Sequence, residues 1–182
     1  SVRILREEAT DNESPLNITL VQAVSAAERM DFTLQKSVEL GVAEIRPVIS
    51  ERCVVRLSGE RAEKRVARWQ EIVVSACEQS GRNIVPKVLP LTTYAQALQQ
   101  LPQETTKLLM SLNHAQKLSD VRPQSGKVVF MVGPEGGWTE KEEQQAFDAG
   151  FQSVTLGKRV LRTETASLAA IAAMQTLWGD FA

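Results

Sequence analysis

The chain has 182 residues, 43% hydrophobic and 24% charged, with a net charge of −1. That length supports one hydrophobic core with a short appendage, and the composition excludes collagen, a disordered chain and a coiled-coil rod. The near-zero net charge excludes a general basic field, so a nucleic-acid partner must be held by a local patch.

Taken in chain order, Val2 to Leu5 reads as a short strand and Glu7–Pro15 (EEATDNESP) as an acidic, turn-rich linker. Residues 1–14 are therefore expected to be a remnant of a preceding module plus linker, and 15–182 one domain. Leu16–Val24 is a β-branched, apolar run that predicts a buried strand. A helix is expected over Asp31–Leu40, with Asp31 as N-cap and Gly41 as its stop. Glu44–Ser50 predicts a second strand. Val66, Trp69, Ile72, Val73 and Cys77 recur at helical spacing within Arg61–Ser80, and Gly81 ends that helix. Ile84–Leu89 reads as a strand, and Pro86 argues for an edge position. Next come a helix over Thr93–Leu101, a strand over Thr106–Leu112 and a strand over Lys127–Val132. A glycine loop, a helix from Thr139, a strand over Ser153–Leu156 and a last helix over Thr163–Trp178 complete the chain. This alternation predicts an α/β fold, a mostly parallel sheet with helices on both faces. Ligands of such sheets sit at the carboxyl ends of strands. Three exits qualify: LLMSLNH (108–114), MVGPEGGW (131–138) and TLGKRVLRTET (155–165).

In the second of these, three glycines and a proline crowd Gly133–Gly137. Glycine admits positive φ and close approach of another group to the main chain, and proline stiffens the loop. Glu135 is its one charged side chain. Thr139 and Glu142 have capping-box spacing, so the following helix needs no phosphate at its start. Neither GxxxxGK[ST] nor GxGxxG occurs, and on the loop alone a plain tight turn is slightly preferred. In the third exit, Arg159 and Arg162 flank Val160-Leu161, beside Glu164. A guanidinium is a rigid, always-charged fork of donors that can orient a nucleobase or phosphate, or pair with Glu164. The Ala-rich body of the last helix suits close packing.

GPEGGWTEKE followed by LGKRVLRTETASLAAI resembles the RsmE-type methyltransferases of the SPOUT superfamily, and the likeness extends back through ERMDFTLQKSVELGV, SERC and ACEQSGR. It runs from about Pro15 to the end. Members of that family methylate N3 of a uridine in small-subunit (16S) ribosomal RNA, using S-adenosyl-L-methionine. The resemblance implies a C-terminal trefoil knot, a topology that local sequence does not announce. It also implies a homodimer and a small-subunit rRNA partner, as part of an assembled particle. The cofactor positions it matches are Leu112, Gly133, Glu135, Gly136, Leu156, Gly157, Val160, Leu161 and Thr165. Glycines there would allow main-chain contact with adenine and ribose, and the leucines and Val160 would wall the adenine. Family members usually carry a full N-terminal PUA-like RNA-binding domain, of which SVRILREEA matches only the last strand. They often have Lys where this chain has Arg29.

Methyl transfer from a sulfonium is an in-line displacement in which the protein mainly positions the partners. Uridine N3 must lose its proton, or the charge spread onto O2 and O4 must be stabilised. Arg162 and Arg29 are the candidate donors, and Glu164 or Glu28 the candidate proton acceptors or arginine anchors. Arg162 ranks first. Arg29, Lys36, Arg52 and Arg82 are the candidate RNA contacts, because phosphates dominate RNA affinity. Arg61, Lys64, Arg65 and Arg68 lie in the first turns of a helix, where cations oppose the macrodipole. A solvated face softened by Glu60–Lys64 pairing is the preferred reading there.

Trp69 belongs to the core, Trp138 covers the cofactor site or simply packs, and His114 is incidental. One histidine and two cysteines without CxxC spacing leave no metal centre to expect. Cys53 and Cys77 read as buried thiols in a reducing, cytoplasmic setting. No apolar run approaches the ~20 residues of a membrane span, so no membrane partner is expected. A non-catalytic RNA-binding or ribosome-assembly module retaining the knotted fold is the alternative function. A nucleotide- or phosphate-binding α/β domain ranks third, because its signatures are missing.

Overall fold

A computed structural model describes residues 3–181. Its elements alternate along the chain as β1 (Asn17–Ala23), α1 (Ala27–Glu39), β2 (Val42–Ile49), α2 (Gly59–Ser80), β3 (Lys87–Val88) and β4 (Thr92–Thr93). There follow α3 (Tyr94–Gln99), β5 (Thr106–Met110), β6 (Gln116–Lys117) with a 3₁₀ turn over Leu118–Asp120, and β7 (Lys127–Val132). The last three are α4 (Glu140–Asp148), β8 (Gln152–Thr155) and α5 (Thr163–Trp178).

The strands form one eight-stranded sheet in the order β3-β2-β1-β7-β5-β8-β6, with β4 also pairing β2. Every pairing among the described residues is parallel. β1 and β7 sit at the centre and run in register from Asn17–Lys127 to Gln22–Val132. Both are buried on both faces, which is why they read as continuous apolar runs instead of alternating ones. Helix α1 packs against both α2 and α5. On the other side, α3 meets α4 where the Tyr94 hydroxyl donates to the Glu142 carbonyl. Right-handed parallel crossovers put these two groups on opposite faces of the sheet. The expected α/β architecture is therefore present.

Local chemistry accounts for several boundaries. Thr139 and Glu142 close the expected capping box of α4 reciprocally, and an equivalent box, Thr93 with Gln96, starts α3. Gly81 caps α2 at φ +72° and Gly41 follows α1 at φ +91°, conformations that favour glycine.

Two expectations need correction. Helix α1 starts earlier than Asp31: its N-cap is Ala26, and Asp31 lies within the helix, where its carboxylate accepts from Arg68 instead of capping. The strand expected over Val2–Leu5 has Val2 outside the described residues. Arg3 to Leu5 carry no strand pairing, and Ile4 and Leu5 are 84% and 87% exposed. The stretch read as a linker is fastened at its end to the domain. Glu13 pairs with Arg82, Asn12 donates to the Gly81 carbonyl, and Ser14 donates to Gln175.

Candidate cofactor and RNA site

Strands β5, β7 and β8 end side by side, and a cavity of about 630 Å³ opens over their carboxyl ends. That is the size range of small-molecule sites, roughly 300–1,000 Å³, and the place where open parallel sheets bind ligands. Its walls come from all three exits that the sequence singled out. Met110 to Asn113 end and follow β5, Val132 to Trp138 end and follow β7, and Thr155, Leu156 and Arg159 to Thr163 end and follow β8. Arg29, from the first turn of α1, closes the fourth side.

The glycines of the β7 loop answer to the protein's own packing before any ligand. A Cβ on Gly136 would lie 3.0 Å from the Cβ of Arg52, and one on Gly133 would lie 3.3 Å from the Trp138 ring. Gly137 adopts φ +67°, which favours glycine. Arg52 then braces the loop by donating from Nη1 to the carbonyls of Gly136 (3.0 Å) and Trp138 (3.1 Å). Trp138 is buried against Tyr94, with ring centroids 5.2 Å apart. It therefore packs, and the residue also lines the cavity, while its Nε1 is buried without a hydrogen-bond partner.

Charge at the rim is unevenly spent. The Glu135 carboxylate accepts from the Ala26 amide at 2.9 Å and from Arg29 at 3.1 Å. Burial pushes the pKa of Glu135 up, but these hydrogen bonds and the Arg29 charge outweigh it and hold the group below its ordinary value. The other side of Arg29 faces Glu164 at 3.9 Å, so Glu164 pairs with Arg29 and not with Arg162. Glu164 Oε2 is buried without a partner. Arg162 is exposed at the N-cap of α5 and makes no side-chain ion pair among the described residues.

Two buried polar clusters set the geometry and were not singled out in the sequence. Gln22, fully buried in β1, donates to Thr163 Oγ1, whose hydroxyl donates to the Gly133 carbonyl at 2.6 Å. Ser167 donates to Gln22 Oε1. The start of α5 is thereby tied to both the central strand and the glycine loop. Glu143, on α4, accepts from Ser111 Oγ (2.5 Å) and Asn113 Nδ2 (2.6 Å) and so orders the β5 exit. A glutamine inside an apolar strand was the available signal for the first cluster. Nothing local pointed to Glu143.

The sequence profile of the RNA methyltransferase domain matches residues 12–175. The chain belongs to the RNA methyltransferase domain family. It is 36% identical to the ribosomal RNA small subunit methyltransferase E of Buchnera aphidicola, over 93% of this chain and 67% of that protein. The Bacillus subtilis protein of the same name is 31% identical over 90% of this chain and 67% of its own length. Among solved structures, the ribosomal RNA small subunit methyltransferase E of Neisseria gonorrhoeae bound to S-adenosyl methionine superposes with a TM-score of 0.94. It is 75% identical and covers 98% of this chain and 74% of that one. A putative methyltransferase of Legionella pneumophila in complex with SAM gives a TM-score of 0.90 at 40% identity, covering 94% and 70%.

In this RNA methyltransferase domain, Leu112, Gly133, Glu135, Gly136, Leu156, Val160 and Leu161 line the cavity, together with Arg29 and Arg162. Gly157 and Thr165 do not line it. Gly157 turns away at φ +136° beside Thr155 Oγ1, and Thr165 is exposed on the first turn of α5. Leu112 is half-exposed and Val160 is 84% exposed, so they are rim groups and not inner walls.

The candidate RNA contacts separate as well. Arg82 requires correction. Its side chain is 6% exposed and is consumed by Glu13 and by the carbonyls of Val38 and Val42. It holds the Glu13 segment and the α1–β2 turn and cannot reach a phosphate. Arg52 is engaged as the loop brace, Lys36 pairs with Glu39 at 2.7 Å, and Arg29 is pinned at the cavity. Among the described residues, no group of three or more His, Cys, Asp or Glu is placed to hold a metal, and no helix is long and apolar enough to cross a membrane.

Proposed function

We propose that this chain transfers the methyl group of S-adenosyl-L-methionine to N3 of a uridine in small-subunit ribosomal RNA. The observation that carries the reading is one cavity at three strand exits, with apolar walls and an unpaired guanidinium, Arg162, at its mouth. The donor supplies an already activated methyl group. The residues fit such a group: Met110, Leu156 and Leu161 offer apolar walls and the glycine loop offers main-chain groups. Arg162 would donate to O2 or O4 as N3 loses its proton. Arg29, held between Glu135 and Glu164, is ordered before substrate arrives, which reduces the reorganisation left for the reaction. Glu164 is absent from the cavity lining and its Oε2 is buried, so its role in this reading is to anchor Arg29.

The same reading includes a cytoplasmic homodimer acting on an assembled particle, with residues 1–14 as the end of a PUA-like module. The exposed Leu177, in the last turn of α5, and Phe181, just after it, support the dimer. The Glu13–Arg82 fastening supports a fixed junction with such a module. The trefoil knot belongs to it too, and packing of α5 on β7 and on the Leu118–Asp120 turn supports it.

The test pairs calorimetry with nucleoside analysis. The chain should bind S-adenosylmethionine and S-adenosylhomocysteine but not ATP or NAD. Small-subunit particles from cells lacking the modification should gain 3-methyluridine. Binding of ATP in place of S-adenosylmethionine would overturn the reading. Cofactor binding with no methylated product would favour the non-catalytic module instead.

A further inference from the structure

The first turns of α2 carry Arg61, Lys64, Arg65 and Arg68, spaced i, i+3, i+4 and i+7, which places all four on one helix face. With Leu57 they line a second groove, of about 490 Å³. The expected Glu60–Lys64 pair is present at 2.9 Å, and Asp31 takes Arg68 at 3.2 Å. Arg61 and Arg65 have no carboxylate partner among the described residues. Arg61, in the first turn, opposes the helix dipole, and neither it nor Arg65 has an ion pair among the described residues that would support the helix. Solubility does not explain the four cations either, in a chain whose net charge is −1.

The topology puts this groove beside the cavity. β2 leaves the sheet at its carboxyl end and leads through residues 50–58 into α2, and that loop carries both Arg52, which braces the glycine loop, and Leu57. Helix α1 lies between the two depressions. Its Arg29 lines the cavity, and its Asp31, two residues on, holds Arg68 of the groove.

We infer that the α2 groove is a docking surface for the sugar-phosphate backbone of RNA flanking the nucleotide held in the cavity. This rests on the methyltransferase reading above. Arginine forks match phosphate oxygens, and two of them here are uncommitted. The four assigned candidates, by contrast, are engaged with protein partners.

The experiment titrates a fluorescein-labelled oligouridylate against the unaltered chain, an Arg61→Ala/Arg65→Ala variant and an Arg61→Lys/Arg65→Lys variant, from about 50 to 200 mM salt. Alanine preserves the helix. Two lost phosphate contacts should make the plot of log K against log salt shallower by about 1.4 for single-stranded RNA, with affinity at low salt on the order of ten-fold weaker. The lysine variant should keep the slope. An alanine variant with unchanged slope and affinity would overturn the proposal, as would an unaltered chain that binds no oligouridylate at low salt. S-adenosylmethionine is titrated into the same three samples. Loss of that binding in the unaltered chain would strike the methyltransferase reading, while the salt series answers for the groove either way.

Discussion

Arg162→Ala separates chemistry from architecture more cleanly than any other change at this site. The Arg162 carbonyl accepts the first bond of α5 from Ala166 at 2.8 Å, and alanine keeps that bond. The side chain makes no capping hydrogen bond and no ion pair among the described residues. Thermal stability should therefore move by less than about 0.5 kcal/mol, the range of an unremarkable surface substitution. If the guanidinium stabilises charge on the uracil, its loss should cost about 2.7–4 kcal/mol of barrier, or 10²–10³-fold in single-turnover methyl transfer. Cofactor affinity should stay within about two-fold, since that interaction is made in the transition state and not in the ground state. The assay is transfer of radiolabelled methyl to small-subunit particles lacking the modification, beside calorimetry with S-adenosylmethionine. Arg162→Lys should recover part of the rate, because it restores charge without the fork. Unchanged turnover would refute the role. Equal losses in turnover and cofactor affinity would make Arg162 a wall of the cavity.

Glu143→Ala should weaken S-adenosylmethionine binding by about ten-fold or more, because Ser111 and Asn113 lose their shared acceptor, at roughly 1–3 kcal/mol for an orphaned group. Glu143→Gln should retain most of the affinity in the same calorimetric titration, since the Ser111 hydroxyl can turn round and accept from the new amide. Gly136→Ala needs no positive φ, but its Cβ would meet Arg52 at 3.0 Å. It should dislodge the brace, cost about 1–3 kcal/mol of stability and weaken cofactor binding, with Tm and calorimetry as the readouts. Glu13 is held below its ordinary pKa, chiefly by its hydrogen bond from Arg82 against the opposing effect of burial. The stability it contributes is therefore complete above the ordinary carboxylate range and is lost as pH falls through the lowered value. Denaturant titrations should show Glu13→Gln less stable at neutral pH by about 2 kcal/mol, and that gap should close in acid. A gap independent of pH would remove the ion pair as its cause.

Lys127–Val132 left the sequence little latitude. Five consecutive apolar residues after Lys127, three of them valines, in a segment bounded by glycine on both sides, have one stable place, the middle of a parallel sheet. The capping box at Thr139 and the left-handed stop at Gly81 were equally legible, because each is complete within four residues. The pairs β3 and β4 were harder. Two-residue strands exist only because β2 offers them an edge, and that is a property of the assembled sheet. The first turn of α1 was missed for a related reason. Ala26 and Ala27 give no capping signal, and Ala26 is fixed from a distance by the Glu135 carboxylate.

The same division runs through the site. A residue type states what a side chain is able to do, and its partners decide what it does. Arg82 and Arg162 are chemically identical, and both lie in stretches whose resemblance to the family made them candidates. Yet Arg82 is enclosed by Glu13 and two carbonyls, and Arg162 stands open at the cavity. No local pattern distinguishes them, since the partner of Arg82 is 69 residues away. The glycines show the converse. Family resemblance gave their crowding as room for a ligand, and two of them prove to be room for Arg52 and Trp138. The loop is still where a ligand would lie, because a backbone packed that closely from below exposes its other side to the cavity. Rigidity acquired from Arg52, Glu135 and Thr163 is what lets so glycine-rich a segment present fixed groups. Without those braces, the flexibility that attracted attention in the sequence would work against binding, through the entropy needed to order it.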